Sequence, residues 1–297
     1  MAQPEESSSE HPPESSTGAT EPAVRRYKLT IAYDGSGFHG WQKQEPPDAP
    51  PLRTVQGVVE QVLNRVFKQP VVLIGASRTD AGVHARGQIA HFDAASRIPL
   101  ERMALAINSR LPDDIEVRRV ETVPPNFDAI RWAMTKQYTY TIHNSPHRPL
   151  GLRHMVYHCW YPLDVDRMND AAQRLLGEHD FEGFSAAGHG RECTIRTIHR
   201  CDVARDDERV VITVEGNGFL WNMVRIIAGT LVEVGRGLFE PSRIDEILAS
   251  ADRQQAGPTL PPNGLCLEWI KHRRPRSQHT RYPQDDTGSR PTPYAEP

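Results

Sequence analysis

The sequence predicts an α+β protein that contains two β-α-β-β-α-β units in tandem. Short segments rich in β-forming residues recur along the chain, and several of them alternate polar with apolar side chains. Amphipathic helical stripes separate these segments in a similar order in both halves of the chain. Each unit is therefore expected to be ferredoxin-like, with a mainly antiparallel sheet and a cleft between the two units.

The first half supplies one complete unit. Arg26–Tyr33 alternates and is rich in β-formers, which predicts a strand. Thr54 is placed to cap a helix, because an apolar stripe runs from Val55 to Val66 at helical spacing. The remaining elements are short strands at Val71–Ala76 and Gly87–Phe92, a helix at Leu100–Ile107 that ends near Pro112, and a strand at Ile115–Val120.

The second half repeats this order loosely. Asp164 is placed to cap a helix with Met168, Ala172, Leu175 and Leu176 on its apolar face. The other predicted elements are strands at Lys136–His143, His154–Trp160, Thr194–Ala204 and Arg209–Glu215, helices at Leu220–Val234 and from Ser242, and a final strand at Leu265–Lys271. We expect two sheets in tandem that meet edge to edge.

Both ends differ in composition from the rest of the chain. Residues 1–24 carry five acids and no Lys or Arg, and residues 271–297 carry six basic residues and five prolines. Neither end has enough apolar surface to offset the entropy lost on ordering, so both are predicted to be disordered tails. The predicted domains are then an N-terminal unit at residues 25–125 and a C-terminal unit at residues 126–270.

Charge and cysteine content exclude several classes of protein. The formal net charge of −3 excludes a uniformly basic, histone-like binder but permits a local basic cleft. No apolar run approaches the roughly 18 residues of a membrane helix, and the N-terminus lacks the pattern of a signal peptide, so no membrane partner is expected. Four cysteines without a Cys-x-x-Cys pair predict reduced thiols and a cytoplasmic protein.

Two weaker motifs have the composition of cofactor or metal sites. Gly35–Gly40 matches the G-x-G-x-x-G pattern of a nucleotide-dependent oxidoreductase, but prolines follow it instead of a helix. A loop beside an active site, or a tight turn, fits better. His84 with His91, and His154 with His158, are pairs without a third ligand at a typical spacing, so structural or surface roles are favoured.

The segment from Gly75 to Gln88 is more informative, because it joins two predicted strands and therefore lies at a sheet edge, where functional loops collect. It places small residues around one carboxylate, Asp80, beside Arg78 and His84. Composition alone leaves two interpretations open. Asp80 is either a functional carboxylate or part of an Asx-type turn that caps backbone amides.

Five segments carry a more specific pattern: Tyr33–Gln42, Arg78–Ala85, Asn108–Pro112, Lys136–Tyr140 and Phe219–Arg225. In composition and in order they resemble the motifs of the TruA family of tRNA pseudouridine synthases. The resemblance extends from about Tyr27 to Trp269, nearly the whole predicted core. Lys43–Leu52 is longer and richer in proline than the family's connection, and Trp221 and Asn222 replace a basic pair found in some members.

The resemblance implies roles for individual residues. Asp80 is implied to be the catalytic nucleophile, Arg225 to pair with it, and Tyr138 to stack on the target uracil and assist proton transfer. Arg225 also falls at the N-terminal end of an apolar helix, where an unpaired cation is unfavourable. The expected substrate-binding residues are Tyr138, Arg78, His84, Gln88, Lys136 and Arg86. Further candidates for RNA contact are Lys28, Arg110, Arg131 and Arg153. The alternatives are core packing for Tyr138 and solvated surface charges for the basic residues.

The resemblance also implies the reaction and the partners. The expected enzyme is an isomerase that converts uridine to pseudouridine at positions 38, 39 and 40 of the tRNA anticodon stem-loop and recognises shape more than sequence. It needs no cofactor, no nucleotide and no metal, and it acts as a homodimer in which one tRNA spans both subunits. The rivals are the oxidoreductase and a non-catalytic RNA-binding module on RRM-like sheets, which needs no buried carboxylate.

Overall fold

A computed structural model describes residues 22–44, 50–186, 188 and 193–273 as one large sheet with helices packed against it. Within these residues the strands are β1 (Val24–Tyr33), β2 (Ile74–Gly75), β3 (His84–Ala95), β4 (Ile115–Val123), β5 (Ala133–Asn144), β6 (Tyr157–Cys159), β7 (Gly177–Asp180), β8 (Ile195–Asp206), β9 (Arg209–Gly216) and β10 (Leu265–His272). The helices there are α1 (Val55–Phe67), α2 (Leu100–Asn108), α3 (Val165–Gln173), α4 (Met223–Gly235) and α5 (Arg243–Ser250). The predicted α+β class is confirmed.

The sheet runs in the order β4-β1-β3-β10-β5-β9-β8-β7, with β2 paired to β3 and β6 paired to β5. Neighbouring strands are antiparallel except for the pairs β10–β3 and β5–β6. β10 comes last among these strands in the chain but lies between β3 and β5. Because β10 bonds on both sides, the two halves form a single continuous sheet, where the sequence predicted two sheets.

Helix α1 forms as its sequence predicts. The Thr54 side chain accepts a hydrogen bond from the Gly57 amide at 3.3 Å, which caps the N-terminus. The predicted stripe is buried against the first half of the sheet, with Val59 and Leu63 fully enclosed. The helix ends at Lys68, which has a left-handed backbone conformation.

Strand β2 is much shorter than the predicted strand Val71–Ala76. The amide of Val71 donates to Asn64 Oδ1 at 2.7 Å, and the amide of Leu73 donates to Glu60 Oε1 at 2.9 Å. Both acceptors are side chains of α1. Since helix side chains satisfy these amides, residues 71–73 do not join the sheet, and most of this strand prediction is wrong.

Three predicted elements of the second half are shorter in the structure. α3 ends at Gln173, and β6 contains only three residues of the predicted strand His154–Trp160. α4 begins at Met223 and not at Leu220, because Asn222 has a left-handed backbone (φ 60°) that cannot continue a right-handed helix. The short strand β7 was not predicted, since it carries no apolar alternation.

The predicted tails lie almost entirely outside the described residues, which begin at residue 22 and end at residue 273. Val24 and Lys271, which composition assigned to the tails, lie in β1 and β10. Residues 45–49 of the proline-rich connection also lie outside the described ranges. In the part of the chain that the structure describes, no helix combines the length and apolar character needed to cross a membrane.

Candidate active site

Asp80 lies on the loop between β2 and β3, and hydrogen bonds fix two residues just before it, Ser77 and Thr79. Gln88 Nε2 donates to the Ser77 carbonyl at 2.5 Å, and Gln88 Oε1 accepts the Ser77 amide at 3.3 Å. The hydroxyls of Thr79 and Tyr33 share a hydrogen bond of 2.8 Å. These four partners are buried. Because the hydrogen bonds fix the chain just before Asp80, they hold its carboxylate in a defined place.

The glycine-rich loop after β1 packs against this loop. The Trp41 amide donates to the Thr79 carbonyl at 3.0 Å. Gly40 has a φ of +89°, and a Cβ at this position would lie 2.7 Å from the Thr79 carbonyl oxygen, so the approach requires glycine. A short 3-10 turn covers Gly35–Gly37, and α1 begins only at Val55. The structure therefore confirms that Gly35–Gly40 is a loop beside the candidate site. It contradicts a dinucleotide-binding loop, because such a loop is followed directly by a helix.

Arg225, in the first turn of α4, faces Asp80. Its Nη1 lies 3.6 Å from Asp80 Oδ2, and the two side chains are 15% and 35% exposed. The guanidinium is anchored by two further bonds: its Nε donates to the Leu260 carbonyl at 2.6 Å, and its Nη1 donates to Asn222 Oδ1 at 2.6 Å. The guanidinium is thus fixed, while the carboxylate keeps enough exposure to meet a substrate.

Trp221, two residues before α4, also affects the ionisation of Asp80, which the sequence did not reveal. Burial raises the pKa of Asp80 above its ordinary value, and the charge of Arg225 and a hydrogen bond from the Trp221 indole lower it only in part. From the sequence, Trp221 is known only to replace a residue that is basic in some members of the family. An indole at this position is an uncharged donor, and its hydrogen bonding favours the ionised form of Asp80.

Trp221→Phe removes this donor and keeps an aromatic ring. In a plot of turnover against pH, we expect the decline on the acid side to move to higher pH, because the pKa of Asp80 rises when the hydrogen bond is lost. Turnover disappears as the pH falls through that pKa, so the loss is larger in acid than at neutral pH. Single-turnover rates between about pH 4 and about pH 8 measure the shift. Equal proportional losses at every pH would contradict the assigned role of the indole.

Tyr138 lies on β5 and is buried. Its ring packs edge to face on Phe219 with centroids 5.1 Å apart, and its Oη lies 3.0 Å from Ser77 Oγ. Burial raises the pKa of Tyr138 to about 12; the hydrogen bond with Ser77 lowers it and the negative charge of Asp80 raises it. The phenol is therefore protonated at neutral pH. Tyr140, two residues along the strand, is fully buried and bonds a backbone carbonyl, which fits core packing.

Two of the predicted substrate-binding residues, Arg78 and Lys136, lie close to Asp80 and Tyr138. Arg78 is exposed on the Asp80 loop. Lys136 Nζ donates to Ser77 Oγ and to the Ala76 carbonyl, both at 3.1 Å. Ser77 had no predicted role, and its position next to Arg78 was the only signal in the sequence. The structure thus assembles Lys136, Ser77 and Tyr138 beside Asp80.

The other three predicted substrate-binding residues, Gln88, His84 and Arg86, either form hydrogen bonds within the protein or line a separate cavity. Gln88 is fully buried under the Asp80 loop. His84 is buried and its Nδ1 accepts the Gly35 amide at 3.1 Å. His84 and Arg86 line a cavity of about 530 Å³ whose wall includes Glu268 but neither Asp80, Tyr138 nor Arg225. These positions favour structural roles for Gln88 and His84, and they separate Arg86 from the carboxylate.

The histidines that the sequence singled out have protein partners. His91 Nδ1 accepts the Ala129 amide at 3.2 Å, and His158 Nε2 lies 2.8 Å from the Ser145 carbonyl oxygen. Among the described residues there is no group of three or more His, Cys, Asp or Glu side chains arranged to hold a metal ion. These hydrogen bonds support structural roles for the two histidines.

A carboxylate paired with a guanidinium beside a buried phenol, contributed by both halves of the chain, is the arrangement of a candidate active site, and an RNA-binding module needs no such carboxylate. The profile of a family described as tRNA pseudouridine synthase matches residues 29–130 and 171–272. The chain therefore belongs to the tRNA pseudouridine synthase family.

Individual relatives agree with the family match over nearly their full length. The tRNA pseudouridine synthase A of Brevibacillus brevis is 45% identical over 244 residues, which cover 82% of this chain and 98% of the relative. The tRNA pseudouridine synthase A of Ruminiclostridium cellulolyticum is 45% identical over 248 residues, which cover 83% of this chain and 99% of the relative. The tRNA pseudouridine synthase A 2 of Clostridium perfringens is 42% identical over 247 residues, with the same coverage.

Proposed function

We propose that this enzyme isomerises uridine to pseudouridine at positions 38, 39 and 40 of the tRNA anticodon stem-loop, with Asp80 as the nucleophile. The Asp80–Arg225 contact beside Tyr138 is the observation that carries the proposal. The family supplies the reaction class, and the relatives named above are tRNA pseudouridine synthases.

The reaction breaks the N1–C1′ bond, turns the uracil and rejoins it to the sugar through C5. It involves no redox change and no net hydrolysis, so we propose that it needs no cofactor. A carboxylate nucleophile can form a covalent intermediate that holds the detached parts together. Arg225 supports this role of Asp80, because its charge favours the ionised carboxylate and its planar fork can orient it.

The target base must first leave its stack, which costs roughly a few kcal/mol. We propose that the uracil then stacks on Tyr138, whose phenol transfers protons. Arg78 is exposed on the neighbouring loop, in a position to occupy the vacated space or to grip a flanking phosphate. Both assignments are supported by position, since Arg78 lies on the Asp80 loop and the charge of Asp80 acts on Tyr138.

We further propose a basic cleft between the two halves, a homodimer in which one tRNA spans both subunits, and a cytoplasmic location. The cleft residues are Lys28, Arg86, Arg110, Arg131, Lys136 and Arg153. The four cysteines are free thiols, which supports a reducing compartment. We also propose that the chain contains two ferredoxin-like units. The first, residues 25–125, is the catalytic unit, and the second comprises residues 126–270. The strand order β4-β1-β3, with β2 paired to β3, supports the first unit.

Incubation of the full chain with pre-folded, unmodified tRNA transcripts tests the function. We expect pseudouridine at positions 38–40 in the presence of a metal chelator, because isomerisation through a carboxylate needs no Lewis acid. Light scattering on the same sample is expected to give the mass of two chains. Transcripts with cytidine at these positions are the control. Pseudouridine formed only elsewhere, activity restored only by zinc, or a fully active monomer would each contradict the corresponding part of the proposal.

A further inference from the structure

We propose that Ser77 and Lys136 form a hydrogen-bonded relay that positions Tyr138 and supports its proton transfers. Lys136 Nζ lies 3.1 Å from Ser77 Oγ, and Ser77 Oγ lies 3.0 Å from Tyr138 Oη. Ser77 and Tyr138 are buried, so the bond between them is shielded from water, while Lys136 is half-buried. The inference rests on the proposed function, since it assigns new residues to the same site.

The direction of the relay follows from the chemistry of its end group. An ammonium has only donors, so Ser77 Oγ must accept from Lys136. In the described part of the chain, the hydrogen bonds of Ser77 Oγ are to Lys136 and Tyr138 alone. A buried hydroxyl proton without an acceptor is unfavourable, so we infer that Ser77 donates to Tyr138 Oη, which leaves the phenolic proton of Tyr138 to point into the site.

The surrounding chain keeps the relay in this geometry. Gln88 bonds both the amide and the carbonyl of Ser77, which fixes the backbone from which the hydroxyl projects. Lys136 and Tyr138 are two residues apart on β5, so their side chains lie on the same face of the sheet. Lys136 is held further by its bond to the Ala76 carbonyl. The three groups are thus preorganised before substrate arrives.

The reaction creates a need for such a relay. Conversion of uridine to pseudouridine breaks the C5–H bond and forms an N1–H bond, in addition to exchanging the C1′–N1 bond for C1′–C5. Tyr138 can give its phenolic proton to N1 and take the proton that leaves C5, so that the phenol is regenerated and the atoms balance. Between these steps Tyr138 is a phenolate. The Ser77 hydroxyl and the positive charge of Lys136 stabilise this phenolate, whose formation burial opposes.

Ser77→Ala and Lys136→Met test the relay when turnover is measured on transcripts with hydrogen or deuterium at uridine C5. We expect kcat to fall about 10-fold in each variant with KM for tRNA nearly unchanged. We also expect the deuterium isotope effect to rise above that of the unmodified enzyme, because removal of the C5 proton becomes slower. The double variant is expected to be scarcely worse than either single variant.

Matched controls separate the relay from loss of stability or charge. Ser145→Ala removes the hydroxyl of another buried serine, which bonds Glu208 at 2.7 Å, and Lys271→Met removes a lysine charge on the neighbouring strand. Both are expected to keep the normal isotope effect. Ser77→Thr retains the hydroxyl and should keep most of the rate. If Ser77→Ala does not fold, Lys136→Met and Ser77→Thr decide the question.

An unchanged isotope effect in Lys136→Met, or a rise in its KM alone, would overturn the relay and leave Lys136 as a residue that binds RNA. Failure of the proposed function is a different result, because the unmodified enzyme would then form no pseudouridine in the same transcripts. Activity of the unmodified enzyme with no effect of either substitution would overturn only the relay.

Discussion

Asp80→Asn is expected to abolish pseudouridine formation, by at least about 1,000-fold in single-turnover rate, while affinity for tRNA is retained. The amide keeps the shape of the carboxylate but cannot attack as an anion. Asp80 is partly exposed in the middle of a hydrogen-bonded loop, so the substitution need not disturb the core. Phosphate contacts dominate binding to nucleic acids, and these do not involve Asp80. Single-turnover rates and filter-binding affinities measure the two quantities.

Asp93→Asn is the matched control, because Asp93 is a carboxylate of the same half that pairs with Arg26 at 2.6 Å, away from the site. This variant is expected to keep normal turnover. Appreciable turnover by Asp80→Asn would show that Asp80 is not the nucleophile. Loss of tRNA binding with loss of the fold would instead support the Asx-turn interpretation of Asp80.

Arg225→Ala is expected to lower the single-turnover rate by about 100- to 1,000-fold. Without the guanidinium the pKa of Asp80 rises further, since burial is then opposed by the Trp221 hydrogen bond alone. The acid limb of the profile should therefore move to higher pH. Arg225→Lys should recover only part of the rate, because an ammonium lacks the planar fork that also bonds Leu260 and Asn222.

Thermal unfolding must accompany these rates, because Arg225→Ala also leaves the Leu260 carbonyl without its side-chain donor, at a cost of about 1–3 kcal/mol in stability. Arg236→Ala, at the other end of α4, removes an arginine that pairs with Glu233 and should leave turnover normal. The double variant of Asp80→Asn and Arg225→Ala should be scarcely slower than Asp80→Asn alone. Additive losses would show that the two residues do not act as a unit.

The sequence by itself determined the elements whose causes are local. The Thr54 cap and the apolar stripe of α1 needed no tertiary information, since the cap bonds Gly57 three residues away and the stripe lies on one helix face. The order of the motifs that contain Asp80, Tyr138 and Arg225 also indicated the family, which the profile match then established. Composition likewise separated the acidic and the basic end segments from the core.

The tertiary structure alone decided what depends on contacts between distant residues. β10 joins the two halves into one sheet because it pairs with both β3 and β5, which are far from it in the chain, so no local pattern reveals the pairing. The effect of Trp221 on the ionisation of Asp80, the bond from Lys136 to Ser77 and the bond between Ser77 and Tyr138 likewise involve residues far apart in the chain. A hydrogen bond between side chains requires a separation of about 3 Å, and residue identity along the chain does not specify that distance.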